Sequence, residues 1–284
     1  MVASVVSLLV FGLKLGIDFT GGSLLEVRYE GISRPSLSSV QEAVRELNVG
    51  PFEVQPIGDT NMLVKLKSLD ESTHGKLLET LRKNVTSGKL FEERFESVGP
   101  SIGQELQHKT VWAILLALVM ISLYIAFAFR KVDRPVSSWK YGIAALIALF
   151  HDVIIPIGAF ALLGHFHTLD IGTPFVAALL TVLGFSVHDT IVVFDRIREN
   201  LKKLGGGEPF ENLVEKSLRQ TIGRSINTSV TVMVVMLALY FFGGLATKFF
   251  ALTILIGVFF GTYSSIFIAS FLLVTWHKWS LKRA

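Results

Sequence analysis

The sequence predicts an α-helical protein that crosses a membrane several times and carries a small α+β domain on one side of it. Its 284 residues have a mean hydropathy of +0.55, with 51% hydrophobic and only 18% charged residues, which is too apolar for a soluble chain of this length. Long apolar runs recur after residue 110, and a polar stretch with strand-like and helix-like patterns precedes them.

The N-terminal run, residues 1–13, is apolar but short. Its first 11 residues would rise only about 17 Å as a helix, and no basic segment of the kind that begins a signal peptide precedes them. We therefore interpret this run as the outer half of a first transmembrane span. We expect the native chain to begin upstream.

The polar segment 14–110 predicts a small extracytoplasmic domain. Alternating patterns predict strands, and helical periodicity predicts helices, in the order strand 24–30, helix 37–47, strands 52–57 and 62–67, helix 77–85 and strand 90–98. This β-α-β-β-α-β order is that of the ferredoxin-like split βαβ fold. The segment contains no nucleophile paired with a general base, no glycine-rich phosphate-binding loop and no spacing of metal ligands. The chain also has no cysteine. We expect binding or mechanical work from this domain and no enzymatic activity.

Five apolar runs are each long enough to cross a hydrocarbon core about 30 Å thick, and they span residues 111–129, 141–163, 173–194, 225–242 and 249–275. Gly257 and Gly261 form a GxxxG pair in the last run, which indicates close helix packing. The segment 195–223 is expected to be a cytoplasmic loop, with a flexible turn at residues 205–207 and then an amphipathic helix on the inner membrane surface.

The orientation follows from Lys and Arg in the connections. Thirteen of these residues lie in alternate connections and the C-terminal tail, whereas the opposite connections hold one, Lys248. By the positive-inside rule the C-terminus is cytoplasmic and residues 14–110 lie outside. The excess of Lys and Arg over Asp and Glu then reflects the membrane topology and contact with the lipid bilayer. Binding of nucleic acid is not expected.

Asp189 and Arg224 are charged residues that lie in or beside apolar runs, where charge is least tolerated. Asp189 is inside the run 173–194, and Arg224 is at the start of the run 225–242. Ionisable side chains at membrane depth normally face a bundle interior or a water-filled cavity and mark an ion or proton path. The two residues therefore indicate a functional site.

Other polar residues follow a helical spacing around these two charges. One face of the fourth run carries Gln220, Arg224, Asn227, Thr228 and Thr231. The pair His151 and Asp152, just before Pro156, repeats the pair His188 and Asp189. We expect a kink at Pro156 and expect three helices to present polar groups to one another.

Asp189 and Arg224 differ in what they can do chemically. Arginine keeps its proton in proteins, whereas an aspartate can gain one where burial opposes its charge. The hypothesis is that Arg224 holds Asp189 ionised when it is near, and that its withdrawal favours protonation. Proton entry would then bias the packing of two helices.

Each of these residues also has a structural interpretation. Asp189 would be an ion-pair partner near the cytoplasmic boundary, and Arg224 would extend its guanidinium to the interface as an anchor. His151 with Asp152 would be a hydrogen-bonded core pair. The amide and hydroxyl groups after Arg224 would only join helices.

Five motifs are distinctive: GIDFTGG at residues 16–22, VGP at 98–100, FHDV at 150–153, SVHDTIVVFDRIREN at 186–200 and SLRQTIGRSINTS at 217–229. They resemble motifs of the SecD/SecF family of protein-export membrane proteins, and the short outer domain resembles that of its SecF branch. The likeness covers nearly the whole chain. Relatives often carry Asn where this chain has His188.

The resemblance implies a six-span bundle of the resistance-nodulation-division (RND) type, here with a truncated first span, in the bacterial cytoplasmic membrane. It implies partnership with SecD, the SecYEG channel and unfolded preprotein, indirect partnership with SecA, and protons as coupling ion without a cofactor. The resemblance matches Asp189 and Arg224 to the family's intramembrane aspartate and arginine. Together with His188, His151, Asp152, Asn227 and Thr228, they form the predicted proton relay. Asp18, Gly21 and Gly22 would form a structural motif.

Other functional classes stay open. An RND-type exporter of lipids or small molecules shares the architecture, but a self-sufficient one usually needs two six-span halves. A metalloenzyme that uses the two His-Asp pairs lacks a known ligand spacing. A purely structural assembly subunit would tolerate Asp189→Asn without loss of proton-dependent transport.

Overall fold

A computed structural model describes residues 1–31, 34–84, 88–130, 136–166, 169–204 and 208–282. The chain forms two compact units. One comprises Met1–Lys14 and Val111–Ala284 and is helical, and the other, Leu15–Thr110, is mainly α+β.

The elements up to residue 98 follow the predicted order, with the addition of one short helix, α2, that the sequence did not predict. They are α1 (Val2–Phe11), α2 (Ile17–Thr20), β1 (Gly22–Glu30), α3 (Leu37–Glu46), β2 (Phe52–Ile57), β3 (Asn61–Leu66), α4 (Glu71–Lys83) and β4 (Lys89–Val98). The four strands form one antiparallel sheet in the order β2-β3-β1-β4. The predicted ferredoxin-like topology is confirmed. Val85, which the sequence assigned to the second helix, lies outside the described residues.

One apolar core holds this sheet and its two long helices together. Alternate residues of β1, namely Leu25, Val27 and Tyr29, are fully buried and pack with Val44 of α3 and Leu81 of α4. Because side chains alternate across a strand, β1 turns one face to the core. A domain without cysteine is therefore stabilised by its packed interior.

The remaining elements are long helices. They are α5 (Pro100–Ala128), α6 (Ser138–Phe166), α7 (Thr173–Leu204), α8 (Phe210–Phe242), and α9 (Leu245–Tyr263), which continues through a π-helical turn (Ser264–Ala269) into α10 (Ser270–Leu281). In the described part of the chain, five helical stretches are long and apolar enough to cross a membrane, with α9 through α10 forming one of them. Pro156 lies within α6, which is not broken there. The predicted polytopic helical fold is confirmed.

Two helix limits lie outside the predicted apolar runs. Helix α5 begins at Pro100, before the apolar run that starts at residue 111, because proline suits the first position of a helix, where its missing N–H is not needed. The connection 195–223 is largely helical, since α7 continues to Leu204 and α8 begins at Phe210. Ion pairs one helical turn apart, such as Lys203 with Glu199, favour this extension. The expected amphipathic helix is the first part of α8.

The last span packs closely against α7 through its glycines. A Cβ atom at Gly257 would lie 2.3 Å from the Val182 side chain, and one at Gly261 would lie 3.3 Å from Ser186 Cβ. The close packing predicted from the GxxxG pair is confirmed. This contact brings the polar residues of the two helices together.

The short helix α1 packs on α6. Ser7 Oγ donates a hydrogen bond of 2.9 Å to the Gly158 carbonyl oxygen, and Ser4 lies directly against the same glycine. The interpretation of residues 1–13 as part of a first span stays a prediction.

Candidate functional site

The carboxyl group of Asp152 in α6 is completely buried, and the exposed fraction of the residue is 0%. Its Oδ2 atom accepts hydrogen bonds from Ser186 Oγ of α7 and from Ser264 Oγ of the π turn, the latter at 2.7 Å. Its Oδ1 atom lies 2.9 Å from Nδ1 of the neighbouring His151. Three elements therefore supply hydrogen-bonding groups to one carboxyl group, as burial of such a group requires.

Asp189 of α7 is also buried, with an exposed fraction of 5%. Its Oδ2 atom accepts a hydrogen bond of 2.6 Å from Ser265 Oγ, the residue next to Ser264. The two intramembrane carboxyl groups thus contact neighbouring positions of one turn. Asp189 has fewer hydrogen-bond donors around it than Asp152 has.

The π turn that carries both serines is a local irregularity in the last span. Single π turns inside α-helices are rare and occur often at functional sites. Here Ser264 and Ser265 are fully buried, and Ser270 Oγ donates to the Ser265 carbonyl oxygen at 3.2 Å, five residues along. The wider turn aims two small hydroxyl side chains at two different helices.

Helix α8 does not present its predicted polar stripe to Asp189. Arg224, Asn227 and Thr228 lie on the exposed side of α8, and Arg224 forms no ion pair with any described residue. The side of α8 that faces the bundle instead carries buried Ser225 and Ser229. The expected convergence of three helices therefore involves α6, α7 and the π turn, and the expected pairing of Arg224 with Asp189 is absent from these contacts.

The two His-Asp pairs do not form one cluster. His188 is exposed, whereas His151 is buried beside Asp152. Among the residues that the structure describes, no three His, Cys, Asp or Glu side chains are placed to hold one metal ion. The arrangement can hold and exchange protons, but it offers no assembled ligand set.

A second polar contact joins α7 to α8 nearer the basic ends of the helices. Asn200 Nδ2 donates to Ser217 Oγ at 2.8 Å and to Gln220 Oε1 at 2.9 Å. Arg196 Nε donates to the same Gln220 oxygen at 2.6 Å. These bonds fix the two helices next to each other beyond the apolar runs, so Gln220 acts in packing within this chain.

The glycine motif of the α+β unit forms a close backbone contact. A Cβ atom at Gly21 would lie 2.7 Å from Pro100 Cα, and one at Gly22 would lie 2.7 Å from the Leu66 carbonyl oxygen. Both glycines have positive φ angles, which other residues rarely adopt. Asp18 lies in the first turn of α2, next to this contact. The structural role predicted for the three residues is consistent with this geometry.

The sequence did not point to Ser186, Ser264 or Ser265 as site residues. Serine is common in transmembrane helices, where its hydroxyl bonds its own backbone, so a single serine carries little signal. The adjacent pair Ser264 and Ser265 inside an apolar run was the available clue.

The fold and the enclosed carboxyl groups can be compared with known proteins. The family described as protein export membrane protein SecD/SecF, C-terminal, matches residues 77–279, and the SecD/SecF GG motif matches residues 6–31. The chain belongs to the SecD/SecF family. The buried aspartates of α6 and α7 lie within the first of these matches.

Individual relatives agree with this assignment. The protein translocase subunit SecF of Thermobaculum terrenum is 46% identical, over 98% of this chain and 89% of the relative. The protein translocase subunit SecDF of Thermus thermophilus is 38% identical, over 93% of this chain and 35% of the relative.

A solved structure is similar as well. The crystal structure of SecDF from Thermus thermophilus, titled a translocon-associated membrane protein, matches with a TM-score of 0.82 and 36% identity. The match covers 98% of this chain, which spans only 36% of the SecDF chain. This chain is therefore a multi-pass membrane protein and a translocase subunit with an auxiliary role in Sec protein export.

Proposed function

We propose that this chain couples the proton-motive force to the late stage of preprotein translocation, acting together with SecD. The observation that carries the proposal is the carboxyl group of Asp189, which is buried in a membrane-spanning bundle and held by one hydroxyl. Intramembrane carboxyl groups in such surroundings are functional by default. A proton that crosses the membrane supplies about 2.3 kcal/mol per 100 mV.

The surroundings of Asp189 suit reversible protonation. Among the described residues, one hydroxyl group, that of Ser265, donates a hydrogen bond to this carboxyl group, which leaves it hydrogen-bonding capacity for a proton. Its contact with the last span means that a change in its charge acts on the packing between α7 and that span. Such a change biases the balance between two arrangements of the helices.

Arg224 takes a different part in this proposal from the one that its spacing predicted. A guanidinium on the exposed side of a membrane helix needs an acceptor, because hydrocarbon cannot solvate it. We propose that SecD covers this side of α8 and that Asn227 and Thr228 take part in the same contact. The SecDF relatives, in which both parts are one chain, support SecD as the partner.

The remaining partners and the location belong to the same proposal. We place the chain in the bacterial cytoplasmic membrane with its C-terminus in the cytoplasm, as the distribution of Lys and Arg favours. The SecYEG channel and unfolded preprotein are its direct partners, and SecA acts on it indirectly. His188 and His151 have supporting roles in the proton path.

The test is preprotein translocation into vesicles that contain the complete complex, with and without a proton gradient. Asp189→Asn should reduce translocation to the level seen without a gradient, because an amide cannot carry the proton. Arg224→Met should lose most of the gradient-dependent part. Asp195→Asn, which removes an exposed carboxyl group from the same helix, is the matched control and should behave like the wild type.

Assembly with SecD is measured for each variant. If Asp189→Asn assembles normally and keeps full gradient-dependent translocation, the proposal is wrong and a structural assembly role is favoured. If gradient-dependent transport of lipids is lost while preprotein translocation is unchanged, the chain is an exporter subunit.

A further inference from the structure

Two adjacent serines of the last span contact two different buried carboxyl groups. Ser264 Oγ lies 2.7 Å from Asp152 Oδ2, and Ser265 Oγ lies 2.6 Å from Asp189 Oδ2. Consecutive side chains of a helix point in different directions, so neighbours can reach two separate helices. The π turn thus joins both carboxyl groups to one short piece of backbone.

Each serine hydroxyl also has a second acceptor within reach. Ser264 Oγ lies 3.0 Å from the Gly261 carbonyl oxygen, and Ser265 Oγ lies 3.0 Å from the Thr262 carbonyl oxygen. A hydroxyl group has one hydrogen to donate, although its oxygen can also accept. Each serine therefore chooses between a carboxyl oxygen and a backbone oxygen.

We propose that Ser265 is a positioning residue that keeps Asp189 hydrogen-bonded in both of its protonation states. With Asp189 ionised, Ser265 donates its hydrogen to Oδ2. When Asp189 takes up a proton, its new O–H donates to Ser265 Oγ, and the serine hydrogen turns to the Thr262 carbonyl oxygen. The bound proton stays on Asp189, and the serine O–H bond is not broken.

Asp152 keeps its hydrogen bonds while those between Ser265 and Asp189 rearrange. Asp152 receives groups from α6, α7 and the π turn, so its oxygens are already satisfied. Ser264 thereby ties the π turn to α6, and this contact sets where the neighbouring Ser265 lies. The inference assigns Asp152 to anchoring, whereas the sequence placed it in the relay.

The need for Ser265 follows from the burial of its partner. A buried polar group that loses its hydrogen-bond partner is costly, and more so when it is charged. Without the hydroxyl, Asp189 would lack this partner in both states. The exchange of a proton at Asp189 should then slow, although the fold would tolerate the small change.

The experiment compares Ser265→Ala, Ser265→Thr and Ser270→Ala in the complete complex. Ser270 is the matched control, because it is a buried serine of the same span whose hydroxyl contacts a backbone oxygen and no carboxyl group. Two quantities are measured: gradient-driven translocation, and the infrared carbonyl band of protonated Asp189, which is assigned by its loss in Asp189→Asn.

Ser265→Ala should slow gradient-driven translocation roughly tenfold, as expected for loss of one hydrogen bond to a charged group, and should move the Asp189 band. Ser265→Thr keeps the hydroxyl and should restore both quantities. Ser270→Ala should change neither.

The inference is overturned if the Asp189 band in Ser265→Ala keeps its wild-type position and the rate equals that of Ser270→Ala. The band comparison decides the matter even if the threonine variant does not assemble. This inference rests on the proposed function, but different results would contradict each of them. If Asp189→Asn itself keeps gradient-driven translocation, the proposed function fails first.

Discussion

At the scale of single residues, two aspartates in neighbouring helices have different surroundings. Asp152 is completely enclosed and contacts groups from three elements, whereas Asp189 contacts one hydroxyl. A fully satisfied carboxyl group suits a fixed role, and a group with spare capacity suits a changing one. The sequence alone placed both in one relay, since it shows residue types without their partners.

A residue-scale prediction concerns the α+β unit, where Asp70 caps α4. Hydrogen bonds from Thr73 and Ser72 lower the pKa of Asp70 from 3.8 to about 2. Because the folded pKa is depressed, this stabilisation is present above the ordinary pKa and is lost as pH falls from roughly 4 to 2. Amide exchange in the first turn of α4, corrected for intrinsic rates, should accelerate over that range.

The control for the cap is Asp70→Ala, measured in the full chain. Without the carboxylate, the first turn should exchange faster already at neutral pH and should lose its extra acid sensitivity. Asp59→Ala, at an exposed turn residue, should retain the wild-type profile. Identical pH profiles for wild type and Asp70→Ala would contradict this account of the cap.

At this scale the sequence located the buried carboxyl groups but did not indicate which groups contact them. Asp189 and Asp152 were found because ionisable groups are rare in apolar runs. Arg224 was placed beside Asp189 because both lie in helices with a polar stripe. Helical spacing shows which residues share a face, but it does not show which face turns inward, and α8 turns Ser225 and Ser229 inward instead.

At the scale of elements, the strands of the α+β unit were predicted almost to the residue, whereas helix α4 begins at Glu71 and not at residue 77. Strand β2 matches its predicted bounds, and the others differ by one or two residues. The membrane helices were harder to delimit, because an apolar run marks only the part within the lipid. Helices α5, α7 and α8 continue past their apolar runs into polar sequence that also favours helix.

An element-scale prediction tests the contact between α7 and the last span. Gly257→Ala would place a methyl group 2.3 Å from the Val182 side chain, and it should lower the stability of the detergent-solubilised protein by about 1–3 kcal/mol. Gly184→Ala is the matched control, because its added Cβ meets nothing within 4 Å. It should be neutral or stabilising by up to about 1 kcal/mol.

Thermal unfolding of both variants provides the measurement, and Val182→Ala should rescue Gly257→Ala by making room for the methyl group. Equal melting temperatures for Gly257→Ala and Gly184→Ala would show that the close packing does not limit stability.

At the scale of the whole molecule, the exposed sides of α5 and α8 differ in their residues. Helix α5 exposes apolar side chains such as Trp112 and Leu116, as a helix in contact with lipid or with another subunit does. Helix α8 differs, because its exposed side combines apolar residues with Arg224. A charge on that side favours a protein partner over lipid, and the SecDF relatives point to SecD as that partner.

The central claim is that Asp189 takes up and releases a proton during the working cycle. The most direct test is proton flux through the complete complex in vesicles that contain a pH-sensitive dye, under an imposed gradient and with preprotein present. The account predicts flux in the wild type and in Ser270→Ala, and background flux in Asp189→Asn. Wild-type flux in a correctly assembled Asp189→Asn complex would contradict it.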